Sequence, residues 1–154
     1  MRNLLIPTTL SLLLASSGAY AALGSTPSDF GATTRPTMTK RSLAATSAGS
    51  AATYTVSTST LDSGTVVNEY VAANGNVFAV SWKGPFMPDL RTLLGVHFAT
   101  MTSAAAQIPH AGHSQFSLAR PEVVIQSSGH MRAFQGRAWI PADLPAGFST
   151  ANIE

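Results

Sequence analysis

Thr65-Val66-Val67-Asn68-Glu69-Tyr70-Val71-Ala72-Ala73-Asn74-Gly75-Asn76-Val77-Phe78-Ala79-Val80-Ser81-Trp82 is the stretch whose reading decides the architecture. Both halves are rich in β-branched and aromatic residues, and Asn74-Gly75 between them is the pair favoured in a two-residue type I′ hairpin, where both positions need positive φ. Two antiparallel strands, 65–73 and 76–82, are therefore expected. A two-residue loop sets the register, pairing Val71 with Phe78, Glu69 with Val80 and Val67 with Trp82 on one face. That face is apolar except for Glu69. The other carries Asn68, Tyr70, Ala79, Ser81 and Lys83, a mixture suited to partial exposure, so one side is expected to pack and the other to meet water.

Working outward, Tyr54 to Thr60 reads as a preceding strand, closed by a turn at Asp62-Ser63-Gly64. After the connector, Leu90, Leu93, Leu94, His97, Phe98 and Met101 recur at helical spacing, which predicts one amphipathic helix over 88–101. Pro88 suits its first turn and Asp89 its positive dipole end. The apolar stripe is expected to cover Val67, Phe78, Val80 and Trp82. Residues 104–115 read as a loop, and Glu122 to Gln126 and Met131 to Ile140 as two further strands around a turn at Ser128-Gly129. Gly136 within the last strand suggests a bulge. The expected fold is α+β: a twisted antiparallel sheet of about five strands, in the order β-β-β-α-β-β, packed on one long helix with a disordered N-terminal arm.

Residues 1–21 read as a secretory signal peptide, with Arg2 before an apolar stretch from Leu4 to Ala15 and small residues at Ala19-x-Ala21. Cleavage is expected between Ala21 and Ala22. The apolar run falls short of the roughly 20 residues that span a bilayer, so no stable membrane insertion is expected after cleavage. Residues 22–52 are dominated by Ser, Thr, Ala, Gly and Pro and read as a flexible arm, with Phe30 and Met38 its most plausible anchors. Residues 53–154 then form a single domain.

The chain contains no cysteine, which excludes disulfides, thiolate metal sites and lipid attachment to cysteine. An exported domain of this kind must be held by core packing. Without Arg2, eight Lys and Arg stand against seven Asp and Glu, a balance of +1 (9 − 1 − 7). No basic cluster exceeds Lys40-Arg41, which argues against nucleic acid as a partner.

Four groups of residues invite a chemical reading. His110-Ala111-Gly112-His113, with His97 and His130, has metal-ligating residue types, yet it lacks the helical H-E-x-x-H frame and a nearby carboxylate to orient either ring, so no metal or other cofactor is expected. Gly112-His113-Ser114-Gln115-Phe116 begins like a nucleophile elbow, but Phe116 stands where the closing glycine belongs. Glu69 falls among Val67, Val80 and Trp82, where desolvation raises a carboxyl pKa; a structural ion pair with Arg132 or Arg137 is the favoured reading over acid–base catalysis. The connector Trp82-Lys83-Gly84-Pro85-Phe86-Met87-Pro88-Asp89 carries two rings on a rigid corner. Trp82 and Phe86, with Arg91 and Arg132 for an anionic group, are the candidate binding residues. No catalytic residue is assigned.

Beyond these patterns, Leu61-Asp62-Ser63-Gly64-Thr65, Phe78-Ala79-Val80-Ser81-Trp82-Lys83-Gly84-Pro85, Pro88-Asp89-Leu90-Arg91 and Ser128-Gly129-His130-Met131-Arg132-Ala133-Phe134-Gln135-Gly136-Arg137 give the chain its resemblance to a bacterial family of unknown function, number 2844. The resemblance runs from about Leu23 to the end and is weaker over 31–52. It implies a small exported protein of Gram-negative bacteria, periplasmic or secreted, and carries no activity over. The expected function is a non-enzymatic binding or interaction module of the envelope or secretome, its partner an envelope protein or glycan. The alternative is a small hydrolase or metal-dependent enzyme using Glu69 or the histidines.

Overall fold

A computed structural model describes residues 23–28, 53–107 and 115–154, and the backbone of 37–42. Six strands lie between Thr53 and Trp139: β2 (Thr53–Thr60), β3 (Val66–Val71), β4 (Val77–Gly84), β5 (Gln115–Ala119), β6 (Val124–His130) and β7 (Ala133–Trp139). A further strand, β1 (Thr37–Ser42), adds to the β2 edge. The seven form one sheet in the order β1-β2-β3-β4-β7-β6-β5, and every pairing is antiparallel. The helical part is small: α1 (Leu90–Leu94) and α2 (His97–Ala105).

This corrects the expected α+β fold of about five strands on one long helix. The fold is mostly β, with two strands more than expected, because β1 lies within the span read as an arm and β5 begins at the last residue of the span read as a loop. The helix is interrupted at Gly95. Asp89 caps α1, its carboxylate accepting from the Arg91 amide at 2.9 Å and the Thr92 hydroxyl at 2.7 Å. Gly95 then ends α1 at φ 51°, its amide donating to the Arg91 carbonyl. The apolar spacing continues across the break, which is why periodicity alone joined the two pieces.

The central hairpin shows a second correction. Ala72 donates to Asn76 and Gly75 to Ala72, both at 2.9 Å, so the connection is three residues long, Ala73-Asn74-Gly75. Only Gly75 takes positive φ there, at 85°; this is the three-residue loop with a left-handed glycine, not type I′. The longer loop displaces the pairing by one residue, so Val71 faces Val77 instead of Phe78. An irregularity between Tyr70 and Val71 then restores the expected pairs, Glu69 with Val80 and Val67 with Trp82. The extra residue is Phe78, which is thrown to the opposite face. No bulge occurs at Gly136, where the register runs unbroken.

Phe78 helps to make a second core. On the helix side, Val67, Val71, Val77, Val80, Trp82, Ile125 and Ala138 pack with Leu93 and Leu94 of α1, and Phe98 and Met101 of α2 lie against them. On the other side, Tyr54, Val56, Tyr70, Phe78 and Ala79 pack under Ile153, Leu144 and Phe148 from the segment after β7. The sheet is therefore covered on both faces over its central strands, where one wet face was expected.

Residues 23–28, the start of the span read as an arm, lie against the sheet. Leu23 is 2 % exposed within the helix-side core, and its amide donates to the Leu93 carbonyl at 3.0 Å. Gly24 and Ser25 exchange main-chain bonds with Val77, each 2.8 Å long. The side chain of Met38 and all of Phe30 lie outside the described residues.

Candidate functional site

The half of the sheet beyond β4 carries an ordered polar surface on the side opposite the helices. Cross-strand pairing aligns Lys83, Gln135, Ser128 and Gln115 in one row over β4, β7, β6 and β5. Two residues along, Ser81, Arg137, Gln126 and Ser117 form a second row. Directly opposed residues point to the same face of a sheet, and so do residues two apart in a strand, so both rows share one face. Each strand supplies a polar pair at i and i+2, and none of the eight side chains is apolar.

The second row is held in place. The Arg137 guanidinium donates from Nε to Gln126 Oε1 at 2.9 Å and from Nη1 to the Thr150 main-chain oxygen at 3.1 Å, and it lies 5.6 Å from the Trp139 ring centroid. The Ser81 hydroxyl donates to the main-chain oxygen of Glu154. Asn68 donates to that oxygen at 2.9 Å, and the Glu154 amide donates to the Tyr70 hydroxyl at 3.0 Å. The closing segment thus forms one wall of a cavity of about 630 Å³, whose lining includes seven of the eight row residues. A second cavity of about 430 Å³ shares Lys83, Ser128 and Gln135 with it and extends to Arg132. The two adjoin at Lys83, Ser128 and Gln135, the first reaching Glu154 and the second the β6–β7 turn, and together they are termed the groove.

The four candidate binding residues do not come together. Arg132 borders the far end of the groove, in the turn Met131-Arg132, where it is the one non-glycine residue of positive φ among the described residues, at 61°. Trp82 is 2 % exposed; it lines the first cavity, and its Nε1 is buried with no hydrogen-bond partner among the described residues. Phe86 is 54 % exposed on the connector. Arg91 lies on α1 with its guanidinium 4.9 Å from the Phe98 ring centroid. Phe86 and Arg91 line neither stretch of the groove.

Glu69 is 1 % exposed and belongs to the opposite, helix-side face. Among the described residues its partner is Ser28 and not Arg132 or Arg137: the Ser28 amide donates to both carboxylate oxygens, at 2.9 and 3.1 Å. Burial pushes its pKa up, and the amide and hydroxyl of Ser28 oppose that. His97 lies on α2, its pKa lowered by burial against the fields of Glu122 and Asp143, while His130 ends β6. Among the described residues no three His, Asp or Glu are grouped to hold a metal. His110, His113 and Ser114 lie outside them. Gln115 and Phe116, which follow Ser114, begin a strand, whereas a nucleophile elbow leads into a helix.

Gln115, Ser117, Gln126, Ser128 and Gln135 were not singled out from the sequence. Their signal is there: Gln-x-Ser, Gln-x-Ser, Gln-x-Arg and Ser-x-Lys recur at strand period in four segments. Reading it requires β5 and the neighbour relation of β4 and β7, which are not adjacent in sequence. The family model described as "Protein of unknown function (DUF2844)" matches residues 19–153. Neither a curated protein nor a solved structure matches the chain.

Proposed function

The chain belongs to the DUF2844 family, proteins of unknown function, and within it we propose a non-enzymatic binding module of the cell envelope or secretome whose ligand lies on the polar face of β4, β7, β6 and β5. The observation that carries this reading is the pair of aligned rows. Amides, hydroxyls and cations are the groups that hold and orient a polar ligand. Strand pairing fixes their backbone spacing, and the Gln126–Arg137–Thr150 bonds already hold two of the side chains, which reduces the conformational entropy lost on binding. The leader-like residues 1–21 support an exported setting, periplasmic or secreted.

Lys83 and Gln135 are exposed and face each other across the β4–β7 pair, so truncating both leaves the core intact. The Lys83→Ala, Gln135→Ala double variant is expected to keep the wild-type melting temperature and to lose capture of an envelope glycan or protein that wild type retains. Equal capture by both forms would remove this face from the function. Export is tested separately: the periplasmic or extracellular form should begin at Ala22, and a chain retaining Met1 in the cytoplasm would refute it.

A further inference from the structure

We infer that the ligand of this groove is an acidic polysaccharide, a chain of carboxylated sugars laid along β7; the inference rests on the binding-module reading above. Charge distribution is the first argument. Five Lys and Arg have described side chains, Lys83, Arg91, Arg120, Arg132 and Arg137, and three of them border the groove. Of six such acids, Asp62, Glu69, Asp89, Glu122, Asp143 and Glu154, only Glu154 does so. In a chain that is only 10 % charged, this gathers most of the described cations on one surface.

The spacing of those cations argues for a polymer. Arg132, in the turn before β7, and Arg137, within β7, border opposite ends of the groove, and residues 133–137 between them span about 14 Å at the rise of an antiparallel strand. Lys83 lies between them, diagonal to Arg137 at about 7–8 Å. A single small anion spans no such distance, whereas a strand with one carboxylate per unit meets each cation in turn. Arg137 has committed two of its five N–H donors, to Gln126 and Thr150, which leaves a rigid cation with donors to spare.

Between the cations the rows offer glutamine amides and serine hydroxyls, which donate and accept, as sugar hydroxyls require. A peptide draws its affinity from apolar anchors in pockets, and a nucleic acid strand from aromatic platforms. Neither row contains an apolar or aromatic side chain; of the other lining residues, Trp82 and Phe116 pack into the helix-side core and Ile153 into the opposite core, while Pro85 and Phe134 border only the second cavity.

The test titrates the full exported chain with a short oligogalacturonate, with uncharged oligomaltose and poly-glutamate as comparators, read by calorimetry and by backbone amide NMR shifts. Oligogalacturonate is expected to bind, to weaken as salt rises, and to shift the amides of Lys83, Gln126 and Gln135. Arg132→Gly removes a cation at a positive-φ position that glycine fits, so the fold is retained; it and Lys83→Ala should each weaken binding about tenfold. Equal, salt-independent binding of oligomaltose at the same amides would overturn the acidic ligand and leave the binding-module reading standing. Tighter binding of poly-glutamate would make the ligand an acidic peptide. Binding of none of the three, or shifts confined to the helix side, would also overturn the inference, while capture by the Lys83, Gln135 pair still decides the binding-module reading on its own.

Discussion

At Glu69 a carboxyl group is buried beside Val67, Val80 and Trp82 with Ser28 its bonding partner among the described residues, and burial wins over those bonds, so its pKa lies above the ordinary glutamate value. The folded state therefore binds that proton more tightly than the unfolded chain. Its contribution to stability is complete below the unfolded pKa and is lost as pH rises through the folded one. Glu69→Gln keeps an oxygen for the Ser28 amide and carries no charge at any pH. Relative to Glu69→Gln, the urea midpoints of wild type should fall as pH rises from the ordinary glutamate range toward neutrality, the difference cancelling the shared contribution of His97. Parallel curves would show that the carboxylate is ionised in the fold without cost. Asp89, exposed at the start of α1, runs the other way: its bond from Thr92 lowers its pKa, so its capping contribution is lost as pH falls through that lowered value.

At the element scale, Gly136 shows why local patterns were read in part. A glycine inside a strand suggested a bulge, yet β7 runs regularly there, and the glycine answers to Trp82 across the sheet. A Cβ at this position would press into the indole, 2.5 Å from Cε2, and stand 2.8 Å from the Gln126 main-chain oxygen. Gly136→Ala is therefore expected to cost about 1–3 kcal/mol in chemical denaturation. The loss should shrink in a Trp82→Phe background, since the two sites share one contact; an undiminished loss would place the strain at Gln126 instead. The sequence made the hairpin 65–82 legible because β-branched density and an Asn-Gly pair act within a few residues. It made Glu69–Val80 and Val67–Trp82 legible for the same reason. The loop length and the bulge that compensates it were not, since each displaces the register by one and the two cancel beyond Val71. The break at Gly95 was hidden by an apolar period that continues through it, and the polar rows by the adjacency of β4 and β7 across an intervening span of chain.

Taken as a whole molecule, the sheet needs two covers, because its central strands bury side chains on both faces. The helices supply one. The other is the segment after β7, whose Ile153, Leu144 and Phe148 close over Tyr54, Tyr70 and Phe78. Four rings, Tyr54, Tyr70, Phe78 and Phe148, stand 5.0–6.2 Å apart by centroid, mostly tilted or edge-on, so this core is as specific as the first. The same segment gives Thr150 to Arg137 and Glu154 to Ser81, which makes it also one wall of the groove. Stability and the proposed binding are therefore coupled through one short piece of chain. Ile153→Ala removes the buried anchor of that piece, which is 3 % exposed, and is expected to cost about 2–4 kcal/mol in urea denaturation. Binding at the groove should weaken with it, because Arg137 loses the partner that orients it. A stability change below about 0.5 kcal/mol would mean that the segment rests on the sheet without closing it. A full stability loss with unchanged ligand affinity would separate the cover from the groove wall and assign the orientation of Arg137 to Gln126 alone.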